Sequence, residues 1–275
     1  MKTLFISDLD GTLLNSHGEI SEYTAGTVNS FIEKGMHFSF ATARSVYSAV
    51  PITSAIKINA PCILMNGVSI YDIGRNRYLS SEFIPVGASE KIISAFEKYG
   101  VECFLYKIHN GVLTACYTKI TSRVLKSFAE VRKNNYKKPF LQYPTLRDAA
   151  DEGTVYYTTT GEYETLLPVK NEIESISGAD YAFYEDTYTK KWFLEIFSAS
   201  ASKANGIKKL RREFGFDRVI CFGDNLNDMP MFRESDISVA VANAKAELKS
   251  AADFIALSND EDGAARWIIE NFNEI

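Results

Sequence analysis

Leu4-Phe5-Ile6-Ser7-Asp8-Leu9-Asp10-Gly11-Thr12 runs from a short apolar segment straight into a pair of carboxylates. The apolar run Leu4-Phe5-Ile6 has the pattern of a buried strand. Side chains two apart in an extended chain point the same way, so Asp8 and Asp10 can converge where a sheet's carboxyl edge opens. In open α/β sheets that edge is the usual ligand site. Gly11 lets the chain turn sharply, and Thr12 adds a hydroxyl. Two close carboxylates repel unless a shared proton or a cation lies between them. Hard Mg²⁺, which prefers oxygen ligands, is the natural cation. A solvated turn is the bland alternative for the same residues.

After this segment strand and helix patterns alternate. Ser21 can cap a helix that puts Thr24, Val28, Phe31 and Ile32 on one face and ends at Gly35. Residues 37–41 and 62–65 read as strands, the second ending at Asn66-Gly67. The alternation returns at Lys203, with a helix over 204–214 and strands over 218–222 and 237–242. Helices at 244–252 and 263–272 flank a short strand at 254–257. This order predicts a parallel sheet with helices on its faces.

The middle of the chain reads differently. Ser89 is expected to cap a helix with Ile92, Ile93, Phe96 and Tyr99 inward, stopped by Gly100. Strand patterns at 101–107 and 112–118 flank His109-Asn110-Gly111, and Asn-Gly in that place signals a hairpin. A helix at 122–134 and strands at 154–160, 181–184 and 192–197 complete the segment. The expected architecture is a Rossmann-like α/β core of residues 1–82 and 192–275, carrying an inserted α+β domain of residues 83–191.

Bulk properties narrow the function. The 275 residues are 46% hydrophobic and 24% charged, as in ordinary globular proteins. A net charge of -5 lacks the basic excess of a general nucleic-acid binder, so any phosphate site must be local. Four cysteines without a C-x-x-C pair, and only three histidines, argue against structural zinc. Cys62, Cys103 and Cys221 lie in apolar runs and read as buried free thiols, which fits a reducing compartment. Asp8 and Asp10 come too early for a secretory signal, and no run is long enough to span a membrane. A cytoplasmic protein is expected, with no membrane, nucleic-acid or obligate protein partner.

Three further motifs bear on the chemistry. Gly223-Asp224-Asn225-Leu226-Asn227-Asp228 follows another strand, and its carboxylates can complete a metal site. An Asx-rich helix cap is the alternative. Thr42-Ala43-Arg44 follows the second strand, where a hydroxyl and free N–H groups can hold phosphate or simply cap a helix. Lys203 starts a helix, either as a solvated charge or as a neutraliser of a phosphoryl group.

Taken together these four motifs resemble the haloacid dehalogenase-like superfamily of phosphatases, and within it the Cof-type hydrolases. Asn66-Gly67 and the length of the insertion fit the same subgroup, whose insertion is an α/β cap. Ala43 departs from the usual Gly, and the serine-rich run 198–202 before Lys203 is less typical. The resemblance implies that Asp8 is the nucleophile that forms an aspartyl phosphate, and that Asp10 is the acid and base. It implies Mg²⁺ held by the Asp8 side chain, the Asp10 carbonyl and Asp224, with Asp228 orienting the group. Thr42, Ala43, Lys203 and Asn227 would bind phosphoryl oxygens of a small phosphorylated metabolite. A phosphotransferase or mutase, or a non-catalytic phosphometabolite sensor, are the alternatives. Tyr106, Tyr117, Tyr156, Tyr157, Tyr184, Tyr188 and Trp192 are abundant aromatics of the insertion, either packing its sheet or facing substrate.

Overall fold

Five strands pair in parallel in the spatial order Phe254–Ala256, Ile237–Val241, Arg218–Gly223, Thr3–Ser7 and His37–Phe40. The register sets Ile6 between Cys221 and Ser39. Alternation along Thr3–Ser7 supplies both faces of the core. Leu4 and Ile6 pack with Ile207 and Leu210 of the helix Lys203–Phe214. Phe5 turns the other way, toward Phe272, which also meets Phe31 of the helix Glu22–Glu33. Burial on both sides explains the near-continuous apolar run.

The computed structural model describes residues 1–186 and 190–272. It divides into two units: Met1–Ser80 with Ser202–Ile275, and Ser81–Ala201. In the first unit the chain steps from Thr3–Ser7 outward to His37–Phe40, then returns to place Arg218–Gly223 on the opposite flank. The carboxyl ends of Thr3–Ser7 and Arg218–Gly223 therefore meet where the strand order reverses, the crevice in which such sheets bind ligands. A bridge from Ala41 to Ile63 extends the sheet toward Cys62–Leu64. That strand pairs with Ser69–Asp72 and, beyond it, Arg77–Ser81, two strands the sequence reading left unassigned.

The second unit is a six-stranded sheet in the order Ala179–Glu185, Trp192–Ser198, Thr154–Gly161, Phe104–His109, Val112–Tyr117 and Phe140–Gln142. The expected hairpin is present: Asn110 and Gly111 take φ of 49° and 75°, the left-handed pair that a tight two-residue turn requires. One face packs Leu105, Tyr157, Leu194 and Ile196 against Ile92, Ile93 and Phe96. The helix Arg123–Asn134 covers the other face, where Phe128 stacks on Phe104.

Three expectations need correction here. The insertion ends at Ala201, not residue 191, because Trp192–Ser198 pairs with both Ala179–Glu185 and Thr154–Gly161. Ser89 does not cap a helix: the helix is Val86–Tyr99, starting after Pro85, and Ser89 lies inside it with its hydroxyl 2.5 Å from that of Tyr157. Tyr99 is exposed rather than inward. Tyr188 lies outside the described residues. Among the described residues no helix is long and apolar enough to cross a membrane.

Candidate active site

Asp8 leaves the end of Thr3–Ser7 with its backbone still in the sheet, its N–H donating to the Phe222 carbonyl at 2.9 Å. Its side chain is buried. Lys203 is the first residue of its helix, but it points inward and is 2% exposed, not a solvated surface charge. The Lys203 Nζ donates to Asp8 Oδ1 at 2.5 Å and to Asp228 Oδ1 at 2.6 Å. Asp228 is fully buried, and its Oδ2 accepts the N–H groups of Asp224 and Asn225 at 3.0 and 3.2 Å. Both Asp228 oxygens are therefore used in fixing the lysine and the loop.

Asp224 completes the group. Its Oδ1 accepts the Thr12 hydroxyl at 3.0 Å, and its carbonyl accepts the Lys245 N–H at 2.8 Å. Gly11 passes beneath it with φ of 80°, and a Cβ at that position would stand 2.5 Å from Asp224 Oδ2. Glycine is needed both for the left-handed turn and for the close approach.

Asp8, Asp224 and Asp228 each offer a carboxylate oxygen, all within 4.8 Å of one another. Burial pushes the Asp8 carboxyl well up; the Lys203 ammonium opposes this, while Asp228 and Asp224 add to it. Burial, then the Asp228 charge, pushes Asp224 up to about 6. Burial alone would lower Lys203, but Asp228 and Asp8 outweigh it and hold the ammonium above its usual range. Three carboxylates face one ammonium, so the cluster has an unmet need for positive charge. Oxygen-only donors with surplus negative charge suit a hard divalent cation.

Asp10 stands apart from this cluster. Its carboxylate is half exposed and accepts both Nε and Nη2 of Arg44, at 2.8 and 2.6 Å. Arg44 was quoted within its motif without a role. A cation two residues past Thr42, at the neighbouring strand end, is the signal that could have found the pair. Thr42 is buried, and its Oγ1 accepts the Arg44 N–H at 3.1 Å. The Ala43 N–H has no acceptor among the described residues. Asn227 is exposed, and among the described residues it forms no hydrogen bond to the cluster. Asn243 was also missed: its side-chain amide donates to the Gly11 carbonyl at 2.8 Å and braces the turn. Cys62, Cys103, Cys116 and Cys221 are all buried free thiols.

The sequence pattern of the haloacid dehalogenase-like hydrolases matches residues 5–268. The chain is 26% identical to phosphatase YwpJ of Bacillus subtilis, over 98% of this chain and 99% of that one. It is 24% identical to the 5-amino-6-(5-phospho-D-ribitylamino)uracil phosphatase YitU of the same organism, over 98% and 97%. A haloacid dehalogenase-like hydrolase from Bacteroides thetaiotaomicron shares the fold with a TM-score of 0.81, at 24% identity and with 98% and 99% of the two chains covered.

Proposed function

This chain belongs to the haloacid dehalogenase-like hydrolase family, and within it we propose a Mg²⁺-dependent phosphatase of small phosphorylated metabolites that works through an aspartyl phosphate on Asp8. The observation that carries this reading is the buried Asp8–Lys203–Asp228 chain beside Asp224, at the point where the strand order reverses. A carboxylate pinned by an ammonium in a dry site is a positioned nucleophile. Asp8 forms a bond to phosphorus as the bond from phosphorus to the leaving oxygen breaks. Asp10 gives the leaving oxygen a proton, which requires it to exchange its Arg44 contact for the substrate. It then takes a proton from the water that attacks phosphorus, and the bond from phosphorus to Asp8 breaks. Lys203, the Thr42 hydroxyl and the Ala43 N–H hold the phosphoryl oxygens.

The Asp8 and Asp224 carboxylates and the Asp10 carbonyl would hold Mg²⁺, which when bound supplies charge against the phosphoryl oxygens. Asp228 positions Lys203 and the 224–225 turn. The substrate class is supported by the named relative that acts on a ribitylaminouracil phosphate. The inserted unit is read as the part that selects among substrates. The four buried thiols support a reducing, cytoplasmic setting.

The test is phosphate release from a panel of phosphorylated metabolites, with Mg²⁺ or EDTA, for the wild type and Asp8→Asn. Metal-dependent release that is lost in the variant supports the reading. Release that survives in Asp8→Asn removes it.

A further inference from the structure

One face of the six-stranded sheet holds polar groups that have no hydrogen-bond partner among the described residues. Register sets Tyr156 beside Tyr106, and Phe193 and Glu195 beside Thr160 and Thr158. Tyr106, Tyr156, Thr160 and Glu195 thus share the face opposite the one packed on Ile92, Ile93 and Phe96. Tyr156 and Thr160 are buried, and among the described residues Tyr156 Oη, Thr160 Oγ1 and Glu195 Oε2 have no hydrogen-bond partner. The hydroxyls of Tyr156 and Tyr184 and the cations of Arg132 and Lys138 all face Glu195, yet among the described residues none meets its Oε2 with hydrogen-bond geometry.

Two cations border the same patch. Lys138 is 4% exposed, and its Nζ lies 3.6 Å from the centre of the Tyr106 ring. Arg132 lies on the Phe128 ring and donates one N–H to the Phe128 carbonyl at 3.3 Å. Among the described residues neither cation forms an ion pair. Burial, reinforced by Arg132, holds the Lys138 ammonium well below its ordinary range.

A buried hydroxyl left unpaired destabilises a fold, and an unpaired ammonium does so more strongly. Apolar residues would fill this face more stably, so the cluster is not explained by packing. Its donors outnumber its acceptors, so it lacks an anion. We propose that this face binds a small hydroxylated anion, with Lys138 and Arg132 holding the acidic group and Tyr156, Thr160 and Glu195 holding the hydroxyls. The site stands independently of the reaction assigned to Asp8.

The test is calorimetry in EDTA with 6-phosphogluconate and sorbitol 6-phosphate, a pair that differs by a carboxylate against a hydroxymethyl group. The wild type should prefer 6-phosphogluconate, and Lys138→Met should cut that preference about tenfold or more. Tyr156→Phe guards against a folding defect, because it deletes only an unpartnered hydroxyl. It should weaken binding of both compounds while the Tm holds or rises; a lower Tm with unchanged binding would mean the hydroxyl is structural and sink the site. No preference in the wild type, or one that Lys138→Met leaves intact, overturns the proposal.

Discussion

Lys203→Met keeps the length and apolar stem of the side chain and deletes only the ammonium between Asp8 and Asp228. At an effective dielectric near 20, a unit pair at about 3 Å is worth roughly 5 kcal/mol, and Lys203 makes two such pairs. Deleting the lysine also removes the several-kcal/mol cost of keeping its charge out of water. What remains is the penalty of two buried carboxylates without a counter-ion, a net loss of about 3–5 kcal/mol. That is a large part of the roughly 5–15 kcal/mol that holds a domain folded. At about 2–4 °C per kcal/mol, the transition of the unit holding the site should fall by roughly 6–20 °C in EDTA. Mg²⁺ should return part of this, because a cation among Asp8, Asp224 and Asp228 replaces some of the lost charge. Phosphate release should fall by at least about a hundredfold even in folded protein, since Lys203 also meets the charge that develops on the phosphoryl group. Differential scanning calorimetry and a release assay on the same preparations check both parts. A variant as stable as the wild type in EDTA would refute the reasoning, because the two carboxylates would then not depend on the lysine.

Other perturbations probe the same geometry. Gly11→Ala puts a Cβ at a φ of 80° and against Asp224 Oδ2, so it should cost about 1–3 kcal/mol in denaturant melts and abolish metal-dependent turnover. Thr12→Val removes the hydroxyl held by Asp224, and the Mg²⁺ concentration for half-maximal activity should shift while kcat at saturating metal changes little. Asp224, raised to about 6, binds its proton more tightly folded than unfolded. Metal-free stability should therefore fall as pH rises from about 4 to about 6 and then level off, and Asp224→Asn should flatten that slope in melts recorded in EDTA. Arg44→Ala frees Asp10 from the partner that it exchanges for the substrate, so kcat/KM in the release assay should hold or rise, and a drop of about tenfold or more would mean that Asp10 works without leaving Arg44.

The core and the placement of its strand-end motifs were legible because period and punctuation agreed. Leu4-Phe5-Ile6 and residues 218–222 read as buried strands and are such strands in adjacent positions of one sheet. The convergence of Asp8 with Asp224 followed from their common place at strand ends. Asn110-Gly111 named its own turn. Other features depend on contacts between distant residues, which no local pattern reports. Ser89 looked like a cap because serine favours that position, but Pro85 starts the helix and tertiary packing gives the Ser89 hydroxyl to Tyr157. Lys203 was read as a solvated charge or a phosphoryl neutraliser, and only the fold shows the two carboxylates from separate segments that close on it. The Arg44–Asp10 pair spans two strand ends and needed the sheet order to be seen. The end of the insertion was misplaced because Trp192–Ser198 reads the same whichever sheet it joins.

The most direct test of the central claim is a rapid-quench experiment that follows labelled phosphoryl from a monoester onto the protein in the Asp10→Ala variant with Mg²⁺. Without its acid and base the enzyme should stall after the first transfer when the leaving group needs no proton. Label should then accumulate to about one group per chain and map by peptide mass to the segment that contains Asp8. If the wild type releases phosphate while no label is ever found on that segment, and Asp8→Asn still turns over, then Asp8 is not the nucleophile and the account fails.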